Sequence, residues 1–253
     1  AGAMSLFQGL CIMLGAYIGT TVTGLLVSLS SDETINFWNT ASADEYVEAF
    51  SSVKYVDKWL SHSYKKKPEK GIVTEPAECI PTVCEFLSSD NNKLIVGFND
   101  AFVSMMDIEK GSFINSYNTF NEKMTLKKNI SRIYYQPNCF ACASALPIFY
   151  GGFEDNTIKT FDLRMKSDVI TNTINAHSDA VTSLNLFEDI YLFSISHDTT
   201  IKMWDLRKFI EPVNTTVGSQ KKWDEAMWDS KLIKDSLTLC VACADCTVKL
   251  YKL

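Results

Sequence analysis

One short pattern occurs five times along this chain of 253 residues and constrains its fold more than any other feature. Each copy begins at an aspartate, has mostly apolar residues three and five positions later, and ends on a large residue at the sixth. The five aspartates are Asp32, Asp100, Asp155, Asp198 and Asp245. Alternation with a period of two is typical of a β-strand with one buried face. Each copy therefore predicts a turn followed by a half-exposed antiparallel strand.

The most complete copy lies within Asn175–Lys208, NAHSDAVTSLNLFEDIYLFSISHDTTIKMWDLRK. It opens on an Ala-His pair, continues through two alternating strand segments, turns at Asp198 and ends on Trp204-Asp205. This layout is typical of one blade of a WD-repeat β-propeller. The chain is therefore predicted to be all-β, with about five recognisable blades and the end strand of a preceding one, SLFQGL (Ser5–Leu10).

The polar residues of this copy predict a buried network. Asp198 would orient the imidazole of His177, His177 would reach a strand hydroxyl, and the Trp204 indole would donate into the same group. We expect the hydroxyl to be that of Ser196, with Ser194 as the alternative. Buried polar groups need such mutual satisfaction, so a structural clamp is favoured over a catalytic role for His177 and Asp198.

The spacing of the aspartates predicts the domain organisation. Their intervals are 68, 55, 43 and 47 residues, whereas a WD-type blade takes about 40–45 residues. The two long intervals predict inserted loops at about 41–76 and 114–129, both rich in charge, Ser or Asn. We predict a single domain over residues 1–253, with blade ends near residues 10, 40, 108, 163, 206 and 253.

The first 31 residues carry no charged side chain, which admits a membrane span or a signal peptide as an alternative. Gln8, several glycines and the lack of flanking basic residues speak against both. The segment also runs through Leu25–Ser30 directly into the Asp32 turn. We therefore predict consecutive buried strands and no membrane insertion. Gly2-Ala3-Met4 is typical of a cloning scar.

Cysteine spacing suggests a metal site at first sight. Cys139-x-x-Cys142 and Cys240-x-x-Cys243-x-x-Cys246 have zinc-like spacing. Residues three apart on a strand face opposite sides, so Cys240 and Cys243 cannot share one ion. We predict no metal and, without a nucleophile elbow, phosphate-binding loop or paired-histidine motif, no cofactor and no catalytic residue. Eight cysteines without a compact framework favour a reducing, cytoplasmic compartment.

Charge argues against a nucleic-acid partner. The net charge of −6 offers no general attraction to phosphate. Lys65–Lys67 with Lys70 form one basic cluster, for which a nucleic-acid or lipid patch is the alternative to a solvated loop. No aromatic or amphipathic residues accompany the cluster, which favours the loop.

Three segments together resemble the C-terminal WD-repeat domain of striatins. They are LLVSLSSDETINFWNT (Leu25–Thr40), AHSDAVTSL (Ala176–Leu184) with SISHDTTIKMW (Ser194–Trp204), and KKWDEAMWD (Lys221–Asp229). The resemblance covers most of the chain from about Leu25 onward. It implies a seven-bladed propeller, of which this chain would carry the last five blades and the closing strand of an earlier one.

The resemblance also implies a function, that of a non-catalytic scaffold and regulatory subunit in an assembly of protein phosphatase 2A with kinases. The implied partners are the scaffold and catalytic subunits of the phosphatase, a Mob-type protein and other assembly subunits. In fungi it implies the complex that controls pheromone arrest. The implied location is cytoplasmic, peripheral to the endoplasmic reticulum, Golgi or nuclear envelope through partners.

Within the third segment, Lys221, Lys222, Trp223 and Trp228 are candidates for partner contact. The alternative is that Trp223 or Trp228 packs into the last blade while the charges solvate a loop. A second functional class also stays open: a generic peptide-binding propeller, such as a substrate receptor or chromatin adaptor, without a phosphatase link.

Overall fold

The computed structural model describes residues 17–22, 25–30, 34–39, 49–54, 80–119, 135–165, 170–218 and 226–252. These residues form nineteen β-strands and two short 3-10 turns, with no α-helix in the described ranges. By their contacts the residues divide into two compact units, Ala1–Pro81 and Thr82–Leu253. No helix in the described ranges is long and apolar enough to cross a membrane.

The first unit contains one four-stranded antiparallel sheet. Its strands are β1 (Tyr17–Val22), β2 (Leu25–Leu29), β3 (Thr34–Asn39) and β4 (Ala49–Lys54), in that order. The alternating apolar residues of β2 and β3 are buried: Val27, Leu29, Ile35 and Phe37. Strands β1 and β2 lie in the uncharged N-terminal segment. Asp32 and SLFQGL lie outside the described residues.

The second unit, together with Pro81, contains four further antiparallel sheets. Their strands are β5 (Pro81–Phe86), β6 (Lys93–Phe98), β7 (Phe102–Asp107) and β8 (Ser112–Asn118); β9 (Pro137–Cys142), β10 (Ile148–Phe153), β11 (Thr157–Asp162) and β12 (Ile170–Asn175); β13 (Val181–Phe187), β14 (Tyr191–Ser196), β15 (Thr200–Asp205) and β16 (Asn214–Val217); and β17 (Met227–Ile233), β18 (Thr238–Cys243) and β19 (Val248–Lys252). Strands consecutive in sequence are neighbours in every sheet, as in a WD-repeat propeller.

The aspartates of the repeated pattern lie in turns between the second and third strands of these sheets. In each turn the carboxylate accepts the N–H of the residue two positions later, for Asp100, Asp155, Asp198 and Asp245. The residue after each aspartate has a left-handed backbone: φ is 66° at Ala101, 67° at Asn156, 67° at Thr199 and 62° at Cys246. The same backbone turn therefore recurs with four different side chains.

The prediction of half-exposed third strands is wrong for two of them. Strand β11 is buried along its whole length, and β7 is buried at its four central residues. The two middle sheets of this unit, β9–β12 and β13–β16, pack against neighbours on both faces. One face of β13–β15 packs Leu184, Leu192 and Trp204 against the β9–β12 sheet. The opposite face packs Phe193, Ile195 and Ile201 against the last sheet.

Close approach between sheets depends on a glycine in β10. A Cβ at Gly152 would stand 2.6 Å from Cys139 Sγ and 2.6 Å from a methyl of Val181, which begins β13. Any side chain at this position would push the next sheet outward.

The predicted blade boundaries lie beside strands of the described sheets. The blade ends predicted at 108, 163 and 206 lie next to the ends of β7, β11 and β15, and each of these sheets then continues with a fourth strand. Residues 41–76 and 114–129 are therefore not wholly inserted loop: β4 lies in the first segment, and β8 reaches into the second. Residues 41–48, 55–76 and 120–129 lie outside the described residues, as do blade ends 10, 40 and 253. A single domain over 1–253 stays a prediction.

Candidate functional site

The candidate site is centred on His177, in the connection between β12 and β13. The backbone N–H groups of Ala176 and His177 both donate to the Asn156 carbonyl, at 3.0 and 3.2 Å, which ties the connection to the turn of the preceding sheet. The imidazole instead enters the following sheet, where its side chain is fully buried, at 0% exposure. One residue thus connects two neighbouring sheets.

The imidazole contacts groups from β14, from β15 and from the turn between these two strands. Nδ1 lies 3.1 Å from Asp198 Oδ2 and 2.9 Å from Thr200 Oγ1. Nε2 lies 2.7 Å from Ser194 Oγ, and the Trp204 indole N–H donates to the same oxygen at 2.9 Å. We call these five residues (His177, Ser194, Asp198, Thr200 and Trp204) the polar network.

One protonation state satisfies every member of the polar network. Because the Trp204 N–H donates to Ser194 Oγ, the Ser194 hydroxyl is able to donate to Nε2 of His177. Nδ1–H then donates toward Asp198 and Thr200, and the Thr200 hydroxyl donates to Asp198 Oδ1 at 2.6 Å. This arrangement assigns a neutral imidazole with its proton on Nδ1.

Electrostatics agree with that assignment. Burial lowers the pKa of His177, against the opposing hydrogen bond and charge of Asp198, so the imidazole is neutral at neutral pH. The pKa of the Asp198 carboxyl lies well below its usual range. Burial alone would raise this pKa, but the hydrogen bonds from His177 and Thr200 lower it by more. The Ser178 N–H also donates to Asp198 Oδ2, at 2.9 Å.

The choice of Ser196 as the hydroxyl partner of His177 is wrong. Ser194 occupies that position, and Ser196 Oγ instead donates to the Asp179 carbonyl at 3.0 Å and accepts the Asp198 N–H at 3.0 Å. Both serines point to the same face of β14 because they are two apart. Ser194 pairs with Lys202 in mid-strand, while Ser196 ends the strand beside the turn.

Sequence reasoning also missed Thr200, although a signal existed. Threonine stands two positions after four of the five aspartates: Thr34, Thr157, Thr200 and Thr247. In the three described turns with that threonine its hydroxyl donates to the aspartate. The recurring Asp-x-Thr therefore marks a carboxylate fixed by its own turn.

Apolar side chains seal the polar network from solvent. Trp204 is 1% exposed. Phe209, in the loop after β15, packs edge-on against Trp204 and against Tyr150 of the preceding sheet, with ring centroids 5.7 and 5.8 Å apart. An acid or base in catalysis must reach its substrate. The sealed arrangement instead clamps the connection, strand β14 and the Asp198 turn together.

The described cysteines are free thiols distributed over three sheets, with Cys84 on β5. Cys139 and Cys142 lie on β9, where burial raises the pKa of both thiols. Cys240 and Cys243 lie on β18, and Cys246 lies in the following turn. In the described part of the chain no group of three or more His, Cys, Asp or Glu side chains is arranged to hold a metal ion.

The structure describes one of the four candidate partner-binding residues. Lys221, Lys222 and Trp223 lie outside the described residues. Trp228 lies on β17 with 58% of its surface exposed. Its ring stands edge-on to His197 of the β14–β15 turn, with centroids 4.6 Å apart. Trp228 therefore packs on the neighbouring turn and remains open to solvent.

These sheets, their aspartate turns and the His177–Asp198–Trp204 clamp define WD-repeat propeller blades. Residues 169–205 match the family model described as "WD domain, G-beta repeat". The match covers the connection before β13 and runs to the end of β15, so it contains the whole polar network.

Among curated proteins the chain is similar to striatins, which confirms the predicted resemblance. It is 27% identical to Striatin-3 of Mus musculus over 93% of this chain and 26% of the relative. It is 26% identical to the Striatin homolog of Dictyostelium discoideum over 80% of this chain and 21% of the relative. It is 25% identical to human Striatin over 89% of this chain and 25% of the relative. The chain spans about a quarter of the length of these relatives, and the similarity is consistent with a striatin-family WD-repeat domain.

Proposed function

We propose that this chain is the WD-repeat domain of a striatin-type scaffold subunit that organises an assembly of protein phosphatase 2A with kinases, and that it has no catalytic activity of its own. Its partners are then the scaffold and catalytic subunits of the phosphatase, a Mob-type protein and the other subunits. The assembly acts in the cytoplasm, held at the endoplasmic reticulum, Golgi or nuclear envelope by its partners.

The observation that carries the proposal is similarity to striatins along nearly the whole chain, 93% of it for Striatin-3 of Mus musculus. The site chemistry supports it. Every polar atom of His177 and Asp198 that a reaction would use is engaged within the protein. A rigid set of sheets with variable turns is suited to presenting binding surfaces.

Affinity purification tests the proposal. The full-length protein that contains this chain is tagged in its native cells, and co-purifying proteins are identified by mass spectrometry. We expect phosphatase 2A subunits and a Mob-type protein. Recovery of ubiquitin-ligase or histone-complex components in their place would refute the phosphatase link and favour the generic peptide-binding propeller.

A charge reversal tests the contribution of the linker. Lys221→Glu with Lys222→Glu should leave the melting temperature unchanged and lower recovery of at least one partner, more strongly at low salt, because exposed charge affects encounter more than stability. The matched control is Lys208→Glu with Lys234→Glu, two exposed lysines in other turns. Equal recovery by both double variants across a salt series would make the linker purely structural.

A further inference from the structure

The fourth strands of the four-stranded sheets differ in regularity. Strands β4, β8, β12 and β16 each form one edge of a sheet, with no further strand beside them in the described part of the chain. Three of them carry a β-bulge, with the extra residue at Phe50, Ile114 and Thr171. A bulge twists an edge away from further pairing. Strand β16 instead pairs with β15 in continuous register over Asn214–Val217.

Strand β16 also lacks the charges that usually protect an edge. No charged residue stands between Pro212 and Gln220, and all four residues of β16 are exposed. Val217 at its end and Val213 just before it have 61% and 59% of their surfaces exposed. Natural edge strands are often kept apart by charged side chains, lysine above all. Strand β16 is therefore an open edge suited to pairing with another strand.

Antiparallel geometry restricts how two copies of this edge can meet. Alternate residues of a strand point their N–H and C=O groups outward, and an outward residue must face an outward residue. Two identical strands therefore pair in a register centred on a residue, and not between two residues. Centring on Thr215 sets this residue opposite its own counterpart. Asn214 then lies opposite Thr216 of the other copy. Val213 lies opposite Val217.

The side chains match in this register. Directly opposed threonines are a favourable cross-strand pair, and the Asn214 amide lies beside the Thr216 hydroxyl of the other copy. The exposed valines cover each other at both ends of the pairing. Centring on Asn214 would bring in Pro212, which has no N–H to donate. Centring on Thr216 would separate the valines. The register centred on the first threonine is therefore favoured.

We propose that β16 is a self-association edge, through which two copies of this chain pair antiparallel about a two-fold axis at Thr215. The two four-stranded sheets then form one eight-stranded sheet across the dimer, and the same surface serves both copies. Only a few residues of each copy take part, so the dimer is weak and reversible. The inference goes beyond the proposed function and does not rest on it.

Sedimentation velocity of the purified chain tests the association. We expect the sedimentation coefficient to rise from monomer toward dimer between about 10 μM and 1 mM. Thr215→Glu should weaken the dimer about threefold or more, because it sets two like charges directly opposite each other. Within its own sheet the new carboxylate lies opposite Lys202, so the melting temperature should not fall.

The neighbouring sheet supplies a matched control. Thr173 is exposed on β12 and pairs with Lys159, just as Thr215 pairs with Lys202. Thr173→Glu therefore adds the same charge at the corresponding position of a bulged edge strand. This variant should dimerise like the wild-type chain.

Oxidation locates the two-fold axis. Thr215→Cys should form an intermolecular disulfide with copper phenanthroline, because directly opposed residues hold their Cβ atoms about 4.5–5.5 Å apart. Thr216→Cys should react much less, since its counterpart is a diagonal neighbour at about 7–8 Å. The wild-type chain measures the background from its own thiols, which include the exposed Cys246.

Three outcomes overturn the self-association edge: a monomer at every concentration, equal weakening by Thr215→Glu and Thr173→Glu, or equal disulfide yields at residues 215 and 216. The result is separable from the proposed function. If the chain dimerises in this register and phosphatase subunits fail to co-purify with the full-length protein, the phosphatase link fails while the edge stands. In the reverse case only the self-association edge fails.

Discussion

Two neighbouring sheets use the same aspartate turn in different ways. In the β13–β16 sheet, Asp198 faces a histidine, and the polar network continues to Ser194 and Trp204. In the β9–β12 sheet, the corresponding Asp155 faces Lys159, whose side chain is only 5% exposed. The first sheet buries a hydrogen-bonded relay of mostly neutral groups, and the second buries an ion pair.

Aromatic rings replace the polar network in the β9–β12 sheet. Gly151 and Phe161 stand where the other sheet has Ser194 and Trp204, counted from the aspartates. Phe161 stacks on Phe149 with centroids 4.5 Å apart, and Tyr117 packs edge-on at 5.3 Å. The Lys159 ammonium lies 4.0 Å from the Phe153 ring centroid.

The difference separates two tasks of the aspartate. In both sheets its carboxylate accepts the N–H two residues later and a threonine hydroxyl, which holds the turn. The second task is to bind a buried side chain. That side chain is His177 for Asp198 and Lys159 for Asp155. The turn is therefore common to the repeats, and the buried partner is specific to each sheet.

The largest expected effect concerns the aromatic sheet. Phe161→Ala should lower the free energy of unfolding by about 3–5 kcal/mol, because it leaves a cavity among fully buried rings. Chemical denaturation at pH 7.5 measures the loss, and Phe161→Leu, which retains most of the volume, should lose much less. A loss below about 1 kcal/mol for the alanine variant would contradict tight ring packing.

A smaller loss is expected in the polar network. Asp198→Ala should cost about 1–3 kcal/mol, since it removes the acceptor for the buried His177 and for the Ser178 and Thr200 N–H groups. Asp198→Asn retains an acceptor oxygen and should lose less. Partner recovery should decline only in proportion to unfolding. A variant with an unchanged melting temperature and a lost activity would show that Asp198 is functional and not structural.

The two sheets should also differ in their response to pH. The pKa of His177 is lowered by burial, so the unfolded chain takes up a proton more readily than the folded one. The stabilisation is complete above the unfolded pKa of about 6.5 and is lost as pH falls toward the lower folded value. The melting temperature should therefore be lower at pH 5.5 than at pH 7.5. This difference should be smaller in the His177→Gln variant than in the wild-type chain. An identical decrease in the variant would exclude His177 as the cause.

The smallest expected effect concerns the shared turn. Cys246 is exposed and has a left-handed backbone, φ 62°, which asparagine tolerates better than cysteine. Cys246→Asn should raise the free energy of unfolding by about 0.5–1 kcal/mol. Cys246→Ala removes the sulfur while keeping the backbone cost, so it should bring no such gain. Equal stabilisation by both variants would assign the effect to the thiol.

Local sequence determined much of this protein. The alternation after each aspartate predicted the strands and the turns, because strand period and turn chemistry depend on residues within a few positions. The same reasoning identified His177, Asp198 and Trp204 as one buried group. The prediction that β7 and β11 are half-exposed failed, since a period of two says which residues share a face but not how many neighbouring sheets cover it.

Tertiary structure decided the rest. Register along β14 selected Ser194 over Ser196 as the partner of His177, and both residues fit the same sequence pattern. Asp189, in the β13–β14 turn, accepts the N–H groups of Ser144 and Ala145 from the preceding sheet at 2.9 and 2.7 Å. Contacts between residues more than forty positions apart depend on how sheets stack, and no local periodicity encodes that stacking.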